Sequence, residues 1–139
     1  LTKTIIPVGD ITKALAHLRE QYAFQGWKGI VSEMDATATV IEHFAFMLVE
    51  DEKGGSLVAY SVEEPWFSTE RMLCEEFIVG SAKLVSAVNA LNAVAKLYGA
   101  ARIILGTRAV REAKHIPLAK LYEQTGCKVT TVELSREVQ

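Results

Sequence analysis

Apolar positions along the chain change their period several times, and each change marks an element. Residues 2–8, Thr-Lys-Thr-Ile-Ile-Pro-Val, read as a first strand with Pro7 at its edge or end. Ile11, Ala14, Leu15, Leu18 and Tyr22 then recur at helical spacing behind Asp10, a residue suited to cap a helix. Gly26 and Gly29 break that helix around Trp27. A second helix is expected from a cap at Asp35 to Phe44, with Val40, Ile41 and Phe44 as its buried stripe. Phe46-Met47-Leu48-Val49 fits either more helix or a strand. The strand is preferred, because Asp51-Glu52-Lys53-Gly54-Gly55 reads as a hairpin turn ahead of a second strand over 56–62.

Pro65 closes that strand, and Trp66-Phe67-Ser68-Thr69 leads to another over 71–79. Gly80 and Ser81 open the longest helix, 82–98, whose Leu84, Val88, Leu91, Ala95 and Tyr98 share one face and whose stop is Gly99. Residues 101–106 form a short apolar strand, interrupted only by Arg102, that reads as central and covered on both faces. Pro117 suits the first turn of a helix ending at Gly126, and 128–134 reads as the last strand. The order is β-α-α-β-β-β-α-β-α-β. It implies an α/β (α+β) domain: an antiparallel meander, then a β-α-β unit, in one mixed, mostly antiparallel sheet with helices on both faces.

The chain has 139 residues, enough for one domain, 1–139, with a real core. Its net charge of −2 gives no electrostatic reason to expect nucleic acid or a membrane surface as partner. No apolar run approaches the roughly 18 residues of a membrane span, and no signal-peptide pattern opens the sequence. Cys74 and Cys127 are isolated from each other and from His17, His43 and His115, so no metal site is expected. Two isolated thiols suit a reducing compartment, and a cytoplasmic location is the expectation.

The ending Leu118-Ala119-Lys120-Leu121-Tyr122-Glu123-Gln124-Thr125-Gly126-Cys127 places a tyrosine four residues before a helix-stopping glycine. With the element order, this resembles the GCN5-related N-acetyltransferases over nearly the whole chain. The loop Trp66-Phe67-Ser68 with the Leu121-Tyr122-Glu123 ending looks most like acyltransferase-like proteins of tailed phages, which would place the protein in a host cytoplasm or a virion. The resemblance implies acetyl-coenzyme A as cosubstrate and an amine as acceptor. It implies Tyr122 as proton donor to the departing thiolate, although Leu118, Leu121 and Tyr122 share a helix face and the same tyrosine fits a core position. It also implies that the backbone of about Phe77 to Val79 pairs with the pantetheine arm.

Two departures stand beside the matches. The family often has Asn and Ala seven and four residues before the tyrosine, where this chain has His115 and Leu118. His115 still offers a hydrogen bond to the cofactor. The family's phosphate loop carries Gln or Arg and then two small residues around a turn, whereas here Val79 runs directly into Gly80-Ser81-Ala82-Lys83-Leu84. Gly80, Ser81 and Lys83 are the residues left to meet a pyrophosphate at the helix N-terminus. The plainer reading makes Ser81 an N-cap and Lys83 a solvated lysine.

Glu75 and Glu76 are the candidate general bases, Glu76 ahead of Glu75. Adjacent strand residues point to opposite faces, so one carboxylate is expected on each face. A buried carboxylate must pair or raise its pKa, and a raised pKa suits a base for an ammonium group. An ion pair with Arg102 or with an arginine from 108–111 is the structural alternative. Arg108, Arg111 and Lys114 either meet the 3′-phosphate of coenzyme A or an acidic partner, or line a solvated loop. Trp66 and Phe67 are either a binding surface or ordinary packing. Two functions follow: acetyl transfer from acetyl-coenzyme A to an amine, or a binding or virion protein, such as an inhibitor of a host protein, that keeps the scaffold without the chemistry.

Overall fold

Two layers of helix enclose a four-stranded sheet in the computed structural model, which describes residues 6–106, 122–128, 130 and 136–138. In chain order the elements are α1 (Val8–Phe24), α2 (Glu33–His43), β1 (Ala45–Asp51), β2 (Gly54–Glu63), β3 (Arg71–Gly80), α3 (Leu84–Leu97) and β4 (Ala100–Ile104). The strands lie in the order β1-β2-β3-β4. The first two pairings are antiparallel and β3–β4 is parallel, so the expected mixed sheet and β-α-β unit are present. Among the described residues no helix is long and apolar enough to cross a membrane.

The core divides by the alternation of β2. Leu57 and Ala59 face Ile11, Ala14 and Leu15 of α1, with Phe77 of β3 beside them and Val40 of α2 partly covering them. Val58 and Tyr60 face Ala87, Leu91 and Ala95 of α3, with Val49 of β1 and Leu73 of β3. Residues 56–60 are all buried, because helices cover both faces of this strand.

Several boundaries differ from the sequence reading. Most of the expected first strand lies outside the described residues. Its end, however, is helical: α1 starts at Val8 behind Pro7, whose fixed φ and missing N–H suit a helix start. Asp10 lies in the first turn and is not the cap. In α2 the cap is Ser32, whose Oγ accepts the Asp35 N–H at 3.2 Å, so Asp35 stabilises the helix start as a first-turn acid. The buried residue of α2 is Thr37, while Ile41 is 43% exposed. The β1–β2 hairpin forms as expected, with Asp51 paired to Gly54 across the turn. Helix α3 starts at Leu84 with Lys83 as N-cap, and Tyr98 lies half-exposed beyond its end. Strand β4 is not covered on both faces: Ile103 packs on the core, but Ile104 is 43% exposed. The predicted helix 117–126 is described only from Tyr122, and of the predicted strand 128–134 only residues 128 and 130 are described.

Candidate functional site

Strands β3 and β4 pair in parallel from Arg71↔Ala100 to Cys74↔Ile104 and share no register pair beyond. Past that point β3 continues to Gly80 against β2, while the chain leaving β4 passes through Leu105 and Gly106. Strand β4 ends at Ile104, so Glu75 is the first residue of β3 without a register partner in β4 among the described residues. The register against β2 also shifts there: Ala59 opposes Phe77 and Tyr60 opposes Glu75, which leaves Glu76 as the extra residue of a β-bulge. This changes the expected disposition of the two carboxylates. Below the bulge Glu75 pairs with Tyr60, a residue of the α3-side core, and above it Phe77 pairs with Ala59 of the α1-side core. A simple one-per-face alternation does not apply across a bulge.

Glu75 is 7% exposed, and its Oε2 accepts the Gly106 N–H at 3.3 Å. The Tyr122 hydroxyl donates to the Gly106 carbonyl at 3.3 Å. Gly106, two residues past the end of β4, thus joins the leading sequence candidate, Tyr122, to a carboxylate on β3. The structure brings Glu75 to this point, whereas Glu76 is half-buried in the bulge. Arg102 Nε lies 3.7 Å from Glu70 Oε2, and the other expected partners, the arginines of 108–111, lie outside the described residues. Tyr122 is held by a local device. Gly126 has φ 93°, the Gly126 N–H donates to the Glu123 carbonyl at 3.0 Å, and the Cys127 N–H donates to the Tyr122 carbonyl at 3.2 Å. These are the two hydrogen bonds of a Schellman stop, so the glycine read as a helix end from the sequence is one. Phe77 and Val79 lie on β3 beyond its pairing with β4, both packed toward α1. His115 and the basic residues Arg108, Arg111 and Lys114 lie outside the described residues.

The start of α3 has its own partners. The Ser81 N–H donates to the Gly55 carbonyl at 3.0 Å, the Ala82 N–H to Ser56 Oγ at 3.0 Å, and the Lys83 N–H to Asp51 Oδ2 at 2.8 Å. Lys83 Nζ is ion-paired with Glu52. Of Gly80, Ser81 and Lys83, the residues expected to meet phosphate, Ser81 and Lys83 are thus tied to the β1–β2 hairpin, and Gly80 is paired with Ser56 of β2. Sequence reading missed Asp51 in this role. The available signal was an acidic turn opposite a helix start lacking its own side-chain cap, and it becomes visible only once the hairpin is placed.

Two other features lie away from this point. A concavity of about 360 Å³ is lined by Arg19, Tyr22, Trp27 and the 28–31 segment, and contains none of the predicted site residues. Trp66 is 95% exposed, with Phe67 stacked against it edge to face at 5.5 Å, so these aromatics are not core packing. Among the described residues no cluster of His, Cys, Asp and Glu gathers as a metal site would require.

Cys74, next to Glu75, is not an activated thiol. Burial pushes it up to about 11, and the neighbouring Glu63, which accepts its S–H at 3.8 Å, and Glu76 push in the same direction. Its thiolate fraction at pH 8 is then roughly 100-fold below that of an ordinary cysteine, and iodoacetamide labelling should be slower by a similar factor. Labelling at the rate of a free thiol would contradict this environment.

A mixed sheet whose parallel pair ends beside a bulge of its central strand, with a helix-end tyrosine at that point, has the fold of the GCN5-related N-acetyltransferases. Among solved structures the chain is similar to glucosamine-6-phosphate N-acetyltransferase from Arabidopsis thaliana, with TM-score 0.61 and 14% identity over 98% of this chain and 97% of that one. It is also similar to two aminoglycoside acetyltransferases from uncultured soil metagenomic samples. One has TM-score 0.62 and 13% identity over 95% of this chain and 92% of that one. The other, in complex with sisomicin, has TM-score 0.59 and 12% identity over 96% and 93%. At these identities the likeness shows the fold. No family model matches the sequence, and no curated relative matches it.

Proposed function

We propose that the protein transfers an acyl group from a thioester to an amine where the pairing of β3 with β4 ends. The observation that carries this reading is the Glu75–Gly106–Tyr122 arrangement, which sets a carboxylate and a phenol on either side of one residue just past the end of the β3–β4 pairing. A cosubstrate such as acetyl-coenzyme A would supply an acyl carbon already activated for attack. Its pantetheine arm fits the section of β3 beyond its pairing with β4, where the backbone of Phe77 and Val79 would hold it. Its diphosphate does not fit the start of α3, whose Ser81, Ala82 and Lys83 N–H groups are already taken. Glu75 would accept the proton of the acceptor ammonium, and Tyr122 Oη would deliver one where the thiolate departs. The acceptor is read as an amine, the class to which glucosamine 6-phosphate and the aminoglycosides of the similar structures belong.

The test begins with thermal unfolding in S-acetylpantetheine and in acetyl-coenzyme A. A ligand at 100 times its dissociation constant adds about 2.7 kcal/mol, a shift of several degrees for a domain of this size. Tyr122→Phe should then bind the thioester as before and slow acetylation by about 100-fold, the lower end of what a positioned acid contributes. A rate unchanged in Tyr122→Phe removes the proton-donor role. No shift with either thioester sinks the enzyme reading. It would favour a binding or virion protein on the same scaffold, which the occupied start of α3 supports independently.

A further inference from the structure

The β1–β2 turn and the start of α3 form a constellation that acyl transfer does not require. Asp51 takes three donors at once. Oδ1 accepts the Lys53 N–H at 2.8 Å, and Oδ2 accepts the Lys83 N–H at 2.8 Å and the Ser86 hydroxyl at 2.6 Å. Ser86 lies on the first turn of α3, so one carboxylate spans the hairpin and the helix. The exposed N–H groups that open a helix are a ready anion site. Here each N–H of the segment leading into α3, from Ser81 to the N-cap Lys83, meets an acceptor from 51–56, the Ser86 N–H bonds back to the Lys83 carbonyl at 3.1 Å, and the Lys83 ammonium meets Glu52. The charged groups around the contact are Glu50, Glu52 and Lys53 on the hairpin and Lys83 on the helix. With Asp51 these make three carboxylates against two lysines, so the surroundings oppose a second anion.

We propose that Asp51 is an internal anion that closes the mouth of α3 to phosphate groups, so that a donor entering between β3 and β4 is recognised through its acyl-pantetheine arm and not through a nucleotide diphosphate. The donor half of this statement rests on the acyl-transfer reading; the closure does not. A diphosphate would have to displace a carboxylate from two backbone N–H groups and a hydroxyl. The contact also has a pH signature. Hydrogen bonds from Ser86 and Lys83 hold the Asp51 carboxyl below its ordinary value. Its folded pKa is lower than its unfolded one, so the closure is complete above the ordinary carboxylate range near ~3.9 and is lost as the pH falls through the lowered value.

The experiment follows the Ala82 and Lys83 amide resonances. In the wild type, millimolar inorganic pyrophosphate should leave both unmoved, and acetyl-coenzyme A should bind no more than about threefold more tightly than S-acetylpantetheine. Asp51→Ala should shift both amides on adding pyrophosphate and raise the preference for acetyl-coenzyme A to about tenfold or more. Pyrophosphate shifts in the wild type, a tenfold preference there, or a folded Asp51→Ala protein that still ignores pyrophosphate each overturn the proposal. Should neither thioester bind, the acyl-transfer reading fails, while the pyrophosphate comparison still decides the closure. Should Asp51→Ala not fold, acid titration of the wild type decides. The Lys83 amide should titrate with a midpoint below the ordinary carboxylate range, and an amide that does not titrate overturns the contact.

Discussion

Glu75→Gln should lower acyl transfer by about 100-fold or more while leaving the melting temperature within a few degrees of the wild type. The separation of the two effects follows from the geometry. The Gly106 N–H donates to Glu75 Oε2 at 3.3 Å, and a glutamine oxygen can accept the same hydrogen bond. The substitution therefore keeps the link between β3 and the end of β4, where Tyr122 is attached through the Gly106 carbonyl. It removes the ability to hold a proton. A buried carboxylate is costly unless hydrogen bonds or a function retain it, and at 7% exposure Glu75 is the buried acid of the described residues. The pH dependence of kcat/KM gives the sharper readout. The wild type should show an acid limb in that profile, and Glu75→Gln should lose it. A variant that melts much earlier yet keeps its rate would make Glu75 a structural residue. Glu76→Gln, in the extra position of the bulge, is the matched comparison and should change the rate less.

What the sequence could and could not reveal about this site follows from the range of each interaction. Tyr122 and Gly126 were legible because a helix stop is a local device: a glycine at φ 93° and two hydrogen bonds spanning a few residues. The strands were legible where turn chemistry bounded them, as at Asp51 to Gly54. Which carboxylate comes to the site was not legible. It is decided by the register shift at Ala59/Tyr60, which β2 imposes on β3 and which nothing in Cys74-Glu75-Glu76-Phe77 announces. Both helix caps were misplaced by a few residues for a related reason. Ser32 and Asp35 are each competent caps, and the fold settles which of them serves. At the start of α3 the shortened loop was visible in the sequence. Its replacement was not, because Asp51 lies more than thirty residues from Lys83 and Ser86.

Gly80→Ala should destabilise the fold by about 3 kcal/mol or more, a loss in the range that marks a specific steric failure. Two independent causes add. Gly80 has φ 144°, a conformation that side-chain-bearing residues rarely adopt. A Cβ built there would also run into the Gly55 carbonyl oxygen and the Ser56 Cα of β2, which pairs with β3 through Ser56↔Gly80. Those are backbone atoms, so no rotamer change relieves the clash and the strand ends must separate. Separation would stretch the hydrogen bonds from Ser81 N–H to the Gly55 carbonyl and from Ala82 N–H to Ser56 Oγ, each worth about 1 kcal/mol. Gly126→Ala supplies the control. It too has a positive φ, at 93°, but a Cβ there meets nothing within 4 Å, so only the backbone cost of about 1 kcal/mol applies. Urea unfolding of the two variants should therefore differ by about 2 kcal/mol or more. Near-equal losses would mean that β2 and β3 are not in van der Waals contact at Gly80. The difference, if found, gives this glycine its reason. It lets the hairpin approach closely enough for Asp51 to reach the start of α3, a role that needs no phosphate beside it.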